Sequence, residues 1–143
     1  MAQRILLGKE LVALYESVQE FVVAEEQGKL VGCGALHVMW QDLAEVRTLA
    51  VAESHRRRGL GAQLLDRLEE RANELGVRRL FCLTFEVTFF EARGYRVISD
   101  VPVDAHTYAE LVRSTDDGVA EFLDLARVKQ NTLGNTRMLK LLG

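Results

Sequence analysis

Proline, tryptophan and cysteine are scarce in this chain, and long apolar runs are absent. Among 143 residues there are one proline, one tryptophan and two cysteines. Both Cys33 and Cys82 lie in apolar, strand-like segments, which favours buried free thiols over a disulfide or a nucleophile. No apolar run reaches the roughly 18 residues that a membrane span requires, and no signal peptide opens the chain. We therefore expect a cytoplasmic protein with no membrane partner.

A large excess of charge of either sign is also missing. The sequence has 18 Lys and Arg residues against 21 Asp and Glu residues, a net charge of −3, which gives no reason to expect nucleic acid as a partner. The histidines and cysteines show no metal-ligand cluster, so we expect no metal. A length of 143 residues suits one domain with its own core. We predict a single domain over residues 1–143.

Hydrophobic periodicity predicts a chain of alternating strands and helices. Strands are predicted at Phe21–Glu25, Leu30–Trp40, Glu45–Val51, Arg79–Phe85, Tyr95–Ser99 and Thr136–Leu142, and helices at Lys9–Ser17, Leu60–Leu75, Val87–Arg93 and Asp104–Arg113. The pattern over Val119–Val128 is ambiguous. A strand–helix–strand unit from Glu45 to Phe85 requires a parallel pair with a right-handed crossover. The first two strands form a β-hairpin, so the sheet is predicted to be mixed and the fold class α/β.

Three glycines carry local predictions. Gly32 and Gly34 interrupt the second strand and indicate a bulge or a tight crossing. Gly76 follows the last apolar position of the Leu60–Leu75 helix and is a natural C-cap for it.

The most informative stretch is Arg56-Arg57-Arg58-Gly59-Leu60-Gly61-Ala62, which joins a strand to a helix. A glycine-rich turn that opens a helix is an anion site, because free N–H groups and the positive end of the helix dipole converge there. The arginines add charge around that site. The motif lacks the Gly-Lys-Ser/Thr ending of a nucleotide-triphosphate loop and the three glycines of a dinucleotide fingerprint.

This Arg-x-x-Gly-x-Gly-Ala motif resembles the acetyl-coenzyme A loop of the GNAT acetyltransferases. Its flanks match as well, with Glu45-Val46-Arg47-Thr48-Leu49-Ala50-Val51 before the loop and Phe89-Phe90-Glu91-Ala92-Arg93-Gly94-Tyr95 after it. The resemblance implies a three-layer α/β/α sandwich with a mixed, splayed sheet, and acetyl-CoA as co-substrate. It also implies that the coenzyme is bound by Leu49, Ala50, Val51, Arg56, Arg57, Arg58, Gly59, Leu60, Gly61, Ala62 and Phe89.

Glu45 and Arg47 are the first candidates for the chemistry. Strand alternation predicts that Glu45, Arg47, Leu49 and Val51 share one face. The resemblance implies that Glu45 is the general base that deprotonates the attacking ammonium, usually through water. The alternative is a Glu45–Arg47 pair at the end of a strand. Arg47 is expected to hold a carboxylate of the substrate, or else to neutralise Glu45.

Phe90 departs from the family pattern. Many GNAT enzymes place a tyrosine there as the acid that protonates the departing thiolate. Tyr15, Tyr95 or Tyr108 could take that role, or the thiolate could leave unprotonated. Phe89 and Phe90 are expected to pack on the coenzyme or in the core.

The C-terminal half resembles the short, stand-alone amino-acid N-acetyltransferases that make N-acetylglutamate at the start of arginine biosynthesis. The resemblance rests on Phe81–Glu86, Phe89-Phe90, Gly94-Tyr95, Val119–Leu125 and the segment from Lys129 to Leu139. It implies substrate contacts from Thr84, Thr136 and Arg137, with a solvent-facing Arg137 as the alternative. The expected acceptor is the α-amine of L-glutamate or L-glutamine.

Two other functions stay open. One is acetylation of protein N-termini, polyamines or drugs, and the other is a non-catalytic acyl-CoA-binding regulatory module. The family also begins with a strand and helices for which little chain precedes Phe21. Shortened N-terminal elements would expose the edge of the hairpin, and a homodimer is one way to cover it.

Overall fold

The computed structural model describes residues 11–125, 128 and 134–143. This part of the chain divides into two compact units. The first consists of residues 11–37 and 46–76, and the second consists of residues 38–45 with the described residues from 77 onward. The single domain over residues 1–143 stays a prediction.

Six strands form one mixed sheet in the described part of the chain. They are β1 Phe21–Glu26, β2 Lys29–Trp40, β3 Leu43–Val51, β4 Arg79–Thr84, β5 Arg96–Val97 and β6 Thr136–Leu141, in the order β1-β2-β3-β4-β6-β5. The β1/β2, β4/β6 and β5/β6 pairs are antiparallel. The β3/β4 pair is parallel. The α/β class, the mixed sheet and the predicted parallel pair are therefore confirmed.

Five α-helices accompany the sheet in the described ranges. They are α1 Leu11–Glu16, α2 Leu60–Leu75, α3 Val87–Ala92, α4 Ala105–Leu111 and α5 Asp117–Phe122, with single 3-10 turns at Val18–Glu20 and Glu53–His55. The predicted bounds of α2 are confirmed, and Gly76 caps it in the left-handed region at φ +81°. None of the described helices combines the length and the apolar character needed to cross a membrane.

The hairpin of the first unit has a turn of two residues, since Glu26 pairs with Lys29. Gln27 and Gly28 both have positive φ, +52° and +76°. Two central residues in this region are typical of a type I′ turn, whose twist matches that of the flanking strands. The end of β1 is therefore held in a defined position.

The two glycines of β2 allow helix α2 to approach the sheet closely. A Cβ atom added to Gly32 would lie 2.9 Å from Leu64 Cδ1, and one added to Gly34 would lie 2.9 Å from Leu68 Cδ1. Both leucines are buried on α2. Of the two alternatives predicted for these glycines, the structure shows the tight crossing. The register irregularity of the hairpin lies between Ala24 and Glu25 on β1.

The second unit has a hydrophobic core that sequence periodicity left partly unassigned. Phe81 on β4 and Phe122 on α5 are fully buried and meet edge to face, with ring centroids 5.2 Å apart. The ambiguous stretch Val119–Val128 contains the end of helix α5, whose N-cap Asp116 accepts a hydrogen bond from the Val119 N–H. Burial of Phe122 against Phe81 explains why a pattern of only six residues forms a helix here.

Several predicted boundaries are corrected. Strand β3 begins at Leu43 rather than Glu45, and the Asp104–Arg113 helix is limited to Ala105–Leu111. The strand predicted at Tyr95–Ser99 is limited to Arg96–Val97, and the Val87–Arg93 helix ends at Ala92. The Lys9–Ser17 helix is seen as Leu11–Glu16, since its first two residues lie outside the described ranges.

Candidate functional site

The turn Arg56–Ala62 at the start of helix α2, which we call the cradle, has the features of an anion site. The N-cap of α2 is Gly59, which lies in the left-handed region at φ +76° and has no side chain to accept the N–H groups of the first turn. The first turn also contains no acidic residue. A Cβ atom at Gly59 would meet nothing within 4 Å, so the space beside the turn is open. Unsatisfied N–H groups at a helix N-terminus, with the helix dipole behind them, suit a phosphate.

The three arginines before the cradle are exposed to solvent. Arg57 has a positive φ of +66°, which is unusual for a residue with a side chain. Arg58 Nη1 lies 3.9 Å from Glu26 Oε2, with both side chains more than half exposed. The predicted segment Arg56–Ala62 is thus a turn that leads directly into helix α2, with cationic side chains just before the N–H groups of the first helical turn.

The strand before the cradle carries the predicted pantetheine contacts Leu49, Ala50 and Val51, all half-buried. Leu49 points toward the helix side, because its Cδ1 lies 3.1 Å from the place of a Cβ on Gly34. The parallel ladder of β3 with β4 covers three residue pairs and ends at Glu45 with Phe81. Strand β3 continues from Val46 to Val51 beyond that last pair.

Thr48 breaks the alternation on which the predicted face of β3 depended. The φ angle of Thr48 is +56° in the middle of the strand. The Cys33 thiol donates a hydrogen bond of 3.4 Å to the Thr48 carbonyl oxygen. A residue in the left-handed region interrupts the regular pleat, as at a β-bulge, so the alternation of side chains does not continue unchanged past it. Glu45 and Arg47 precede this irregularity, whereas Leu49 and Val51 follow it. The prediction that all four share one face by regular alternation is therefore wrong.

Glu45 is buried in the second unit, with 5% of its surface exposed. Burial raises the pKa of the Cys82 thiol well above its usual range, and the negative charge of Glu45 raises it further. The thiol therefore stays protonated at neutral pH and is a poor nucleophile. Both cysteines of the chain are free; Cys82 is buried as predicted, whereas Cys33 is half-buried.

Thr84 and Thr136 lie opposite each other in the β4/β6 ladder, and Arg137 is paired with Leu83 one step along it. Thr84 is buried, and its Oγ1 accepts a hydrogen bond of 2.8 Å from the Glu86 N–H just before helix α3. The three residues predicted from the resemblance are therefore brought together at one end of these two strands. The preceding residues 129–133, which carry part of that resemblance, lie outside the described ranges.

Arg137 is engaged by the backbone rather than facing solvent. Its Nε donates to the Glu121 carbonyl at 3.1 Å, and its Nη2 donates to the carbonyls of Asp100, at 3.0 Å, and of Phe122. Burial lowers the pKa of the guanidinium, and the carboxylates of Asp124 and Asp100 oppose that shift. The alternative of a solvent-facing Arg137 is wrong. Its substrate role stays a prediction, and its Nε and Nη2 groups are already engaged by these carbonyls.

The residue at the position of the family tyrosine is packed among aromatic rings. Phe90 is 5% exposed and meets Phe89 and Tyr95 edge to face, each with a centroid distance of 5.1 Å. Of the alternative acids, Tyr95 is buried, whereas Tyr15 and Tyr108 are exposed. Phe89 is half-buried, so it retains a surface that could contact a ligand.

Residues 6–95 match the model of the Acetyltransferase (GNAT) family. The chain belongs to this family. An amino-acid acetyltransferase of Mycobacterium tuberculosis is 54% identical over 144 residues, which cover 99% of this chain and 83% of the relative. This GNAT chain is therefore an enzyme that uses acetyl-CoA, and its sheet and helices are those of the GNAT fold.

Solved structures agree with this fold. An M. tuberculosis protein in complex with CoA and a second ligand superposes with a TM-score of 0.91 at 53% identity, covering 94% of this chain and 83% of that one. An N-acetylglutamate synthase of Neisseria gonorrhoeae, complexed with coenzyme A and N-acetyl-glutamate, has a TM-score of 0.74 at 24% identity. That match covers 99% of this chain but 30% of the synthase, and it shows the fold alone.

The residues of the cradle fit the coenzyme that the family uses. Phosphates require close backbone approach, which the bare Gly59 turn allows, and positive charge, which the exposed arginines supply. Over the described ranges there is no group of three or more His, Cys, Asp or Glu residues placed to hold a metal ion. Sequence reasoning did not find the contacts of Glu26 with this turn, since an exposed glutamate in a strand carries no distinguishing signal.

Proposed function

We propose that this enzyme transfers the acetyl group of acetyl-CoA to the α-amine of a small amino acid, with L-glutamate as the first candidate acceptor and L-glutamine as the second. The observation that carries the proposal is the 54% identity, over 99% of the chain, to a protein named amino-acid acetyltransferase. Glutamate as acceptor would place the reaction in arginine biosynthesis, in the cytoplasm.

The cradle at the start of helix α2 would bind the coenzyme's pyrophosphate through the N–H groups of Leu60, Gly61 and Ala62. Exposed Arg56, Arg57 and Arg58 would add attraction for the phosphates. Backbone groups of Leu49–Val51 would hydrogen-bond the pantetheine arm, since β3 extends beyond its ladder with β4 at this point. The bound thioester supplies the acetyl group and the leaving thiolate.

Glu45 would act as the general base. A carboxylate that is 5% exposed sits where few water molecules compete for it, and it could take the proton of the acceptor's ammonium directly or through one water. The deprotonated amine would then attack the thioester carbonyl in a ternary complex, without an acyl-enzyme. The protonated state of Cys82 is consistent with this, because that thiol is a poor nucleophile.

Arg47 would hold the acceptor's carboxylate. It is half-buried and stands two residues after Glu45 on β3, and a planar guanidinium binds a carboxylate bidentately. Thr84 and Thr136 would add hydroxyl contacts from β4 and β6, and Arg137 could contribute a further contact. Since Phe90 carries no hydroxyl, the departing thiolate would take its proton from water or from a tyrosine elsewhere.

A screen of the twenty amino acids for release of coenzyme A thiol tests the proposal. We expect glutamate or glutamine to give the highest kcat/KM. Equal rates with a polyamine or a peptide N-terminus would contradict the acceptor class. Binding of acetyl-CoA without thiol release from any amine would instead indicate the non-catalytic module, which the absence of a hydroxyl at Phe90 keeps as the second candidate.

A further inference from the structure

One carboxylate bridges the two sides of the arginine turn. Glu26 Oε2 lies 3.1 Å from His55 Nε2 and 3.9 Å from Arg58 Nη1. His55 precedes Arg57 by two residues and Arg58 follows it directly. Glu26 therefore contacts the turn on both sides of Arg57, the residue whose φ of +66° is unfavourable for a side chain.

The two contacts differ in strength. The His55 side chain is 17% exposed, and its Nδ1 lies 2.8 Å from Ser54 Oγ. Arg58 and Glu26 are 60% and 53% exposed, and exposed pairs at such a distance contribute little. The contact with the mostly buried imidazole is the shorter and the less exposed of the two, but His55 Nε2 does not meet Glu26 in hydrogen-bond geometry.

The backbone of Glu26 is held by the hairpin. Glu26 is the last residue of β1 and pairs with Lys29 across the two-residue turn. A type I′ turn fixes the register of its hairpin. The 3-10 turn that carries His55 is tied to the same hairpin, because the Ala52 N–H donates to the Val31 carbonyl at 2.8 Å.

We infer that Glu26 and His55 are positioning residues for the coenzyme cradle. Together they hold Arg57 in its strained conformation before any phosphate is bound, so that the N–H groups at the start of helix α2 are already aimed at the ligand. A turn held in advance loses less conformational freedom when it binds. This inference rests on the proposed role of the cradle in binding acetyl-CoA.

Two effects of Glu26 on the affinity for acetyl-CoA oppose each other: its negative charge disfavours an anionic ligand, whereas its contacts with the turn favour binding. Removal of any nearby carboxylate raises the local positive potential and favours an anionic coenzyme. Glu25→Gln makes the same change of charge at the neighbouring exposed residue and therefore measures that general effect. Glu26→Asp complements it, because aspartate keeps the charge but withdraws the carboxylate by one methylene.

The test is calorimetric binding of acetyl-CoA to the full chain, with steady-state kinetics beside it. We expect Glu26→Gln to bind acetyl-CoA about two- to fivefold more weakly than Glu25→Gln, and Glu26→Asp to bind it more weakly than wild type. His55→Gln should reproduce the loss, and the double variant Glu26→Gln/His55→Gln should lose no more than either single one. The KM of the acceptor and the kcat at saturating acetyl-CoA should not change.

Two results would overturn the inference. One is equal affinity of Glu26→Gln and Glu25→Gln together with wild-type affinity of Glu26→Asp. The other is tighter binding by Glu26→Gln than by Glu25→Gln, which would mean that Glu26 competes with the coenzyme for Arg58. Failure of wild type to bind acetyl-CoA at all would instead contradict the proposed function, so the two failures are distinguishable.

Discussion

At the scale of single residues, two side chains of β3 carry the proposed chemistry. Glu45 is buried at the end of the β3/β4 ladder, and its charge reaches the thiol of Cys82. Arg47 is half-buried two residues later, just before the irregularity at Thr48. A base and a cation so close on one strand suit an acceptor that carries both an ammonium and a carboxylate.

Glu45→Gln should lower kcat by about two to four powers of ten, because glutamine keeps the size of the side chain but cannot accept a proton. The affinity for acetyl-CoA should hardly change. The measurement is thiol release with the preferred amino acid, with Glu91→Gln as the exposed control. A Glu45→Gln rate within a factor of two of wild type would remove Glu45 from the mechanism.

Arg47→Lys should raise the KM for glutamate by about ten- to hundredfold, since lysine keeps the charge but loses the fork that binds a carboxylate bidentately. The KM for acetyl-CoA should change much less. If Arg47 reads the side-chain carboxylate, glutamate and alanine should become similar substrates. If it reads the α-carboxylate, both should weaken alike. Kinetics identical to those of the exposed control Arg78→Lys would exclude the clamp.

At the scale of elements, the start of helix α2 and the end of helix α5 are the two places where an element terminus makes the contacts of interest. Helix α2 starts at Gly59, which offers no side chain to cap it, and the N–H groups of its first turn are the feature on which the proposed coenzyme binding depends. In the second unit Arg137 ties strand β6 to the end of helix α5 and to Asp100 through three backbone carbonyls. The first element is the proposed ligand site, whereas the second links a strand, a helix and a loop within the second unit.

Gly61→Val should weaken acetyl-CoA binding by about ten- to hundredfold, because a β-branched side chain in the first turn blocks close approach of a phosphate to the N–H groups. Gln63→Val is the matched control. It places the same side chain in the same helix, at an exposed residue whose N–H already donates to the Gly59 carbonyl. Equal affinities of the two variants in calorimetry would show that the phosphates bind elsewhere.

Arg137→Lys should lower the free energy of unfolding by about 1–3 kcal/mol, since an ammonium cannot reach three separate carbonyls and leaves acceptors unpaired. Urea unfolding measures this loss as a lower midpoint at an unchanged slope. Arg113→Lys, at a side chain that is 77% exposed, is the control. A midpoint equal to that of the control would mean that the three contacts add no net stability.

At the scale of the whole molecule, the chain has a net charge of −3, and β1 is the last strand on one side of the sheet in the part of the chain that the structure describes. Val23 on that edge strand is 54% exposed. The predicted homodimer depends on this edge and stays a prediction. Because GNAT enzymes bind acetyl-CoA, the coenzyme is the ligand whose effect on the stability of the whole chain can be predicted.

Acetyl-CoA at a hundredfold excess over its Kd should stabilise the folded chain by about 2.7 kcal/mol, because it binds the folded state alone. Thermal unfolding should show a rise in Tm of several degrees. Gly61→Val, measured at the same concentration, should show a smaller rise. No rise for wild type would contradict coenzyme binding, whereas a rise without thiol release would indicate a binding module.

Local features could be predicted from the sequence alone. The bounds of α2, its Gly76 cap, the hairpin and the arginine turn all depend on residues that are close in the chain, where periodicity and glycine chemistry act directly. The family resemblance rested on the same local motifs. The sequence by itself therefore determined the α/β class, the mixed sheet and the place of the anion cradle.

The tertiary structure alone decided features that depend on distant partners. Nothing local predicts a left-handed Thr48, because that conformation is unfavourable for a β-branched residue and is held by its surroundings. The partners of Arg137 lie 15 or more positions away in sequence, and the contact of Glu26 with His55 joins a hairpin to a later turn. Such contacts form only when the chain has folded, so local patterns carry no trace of them.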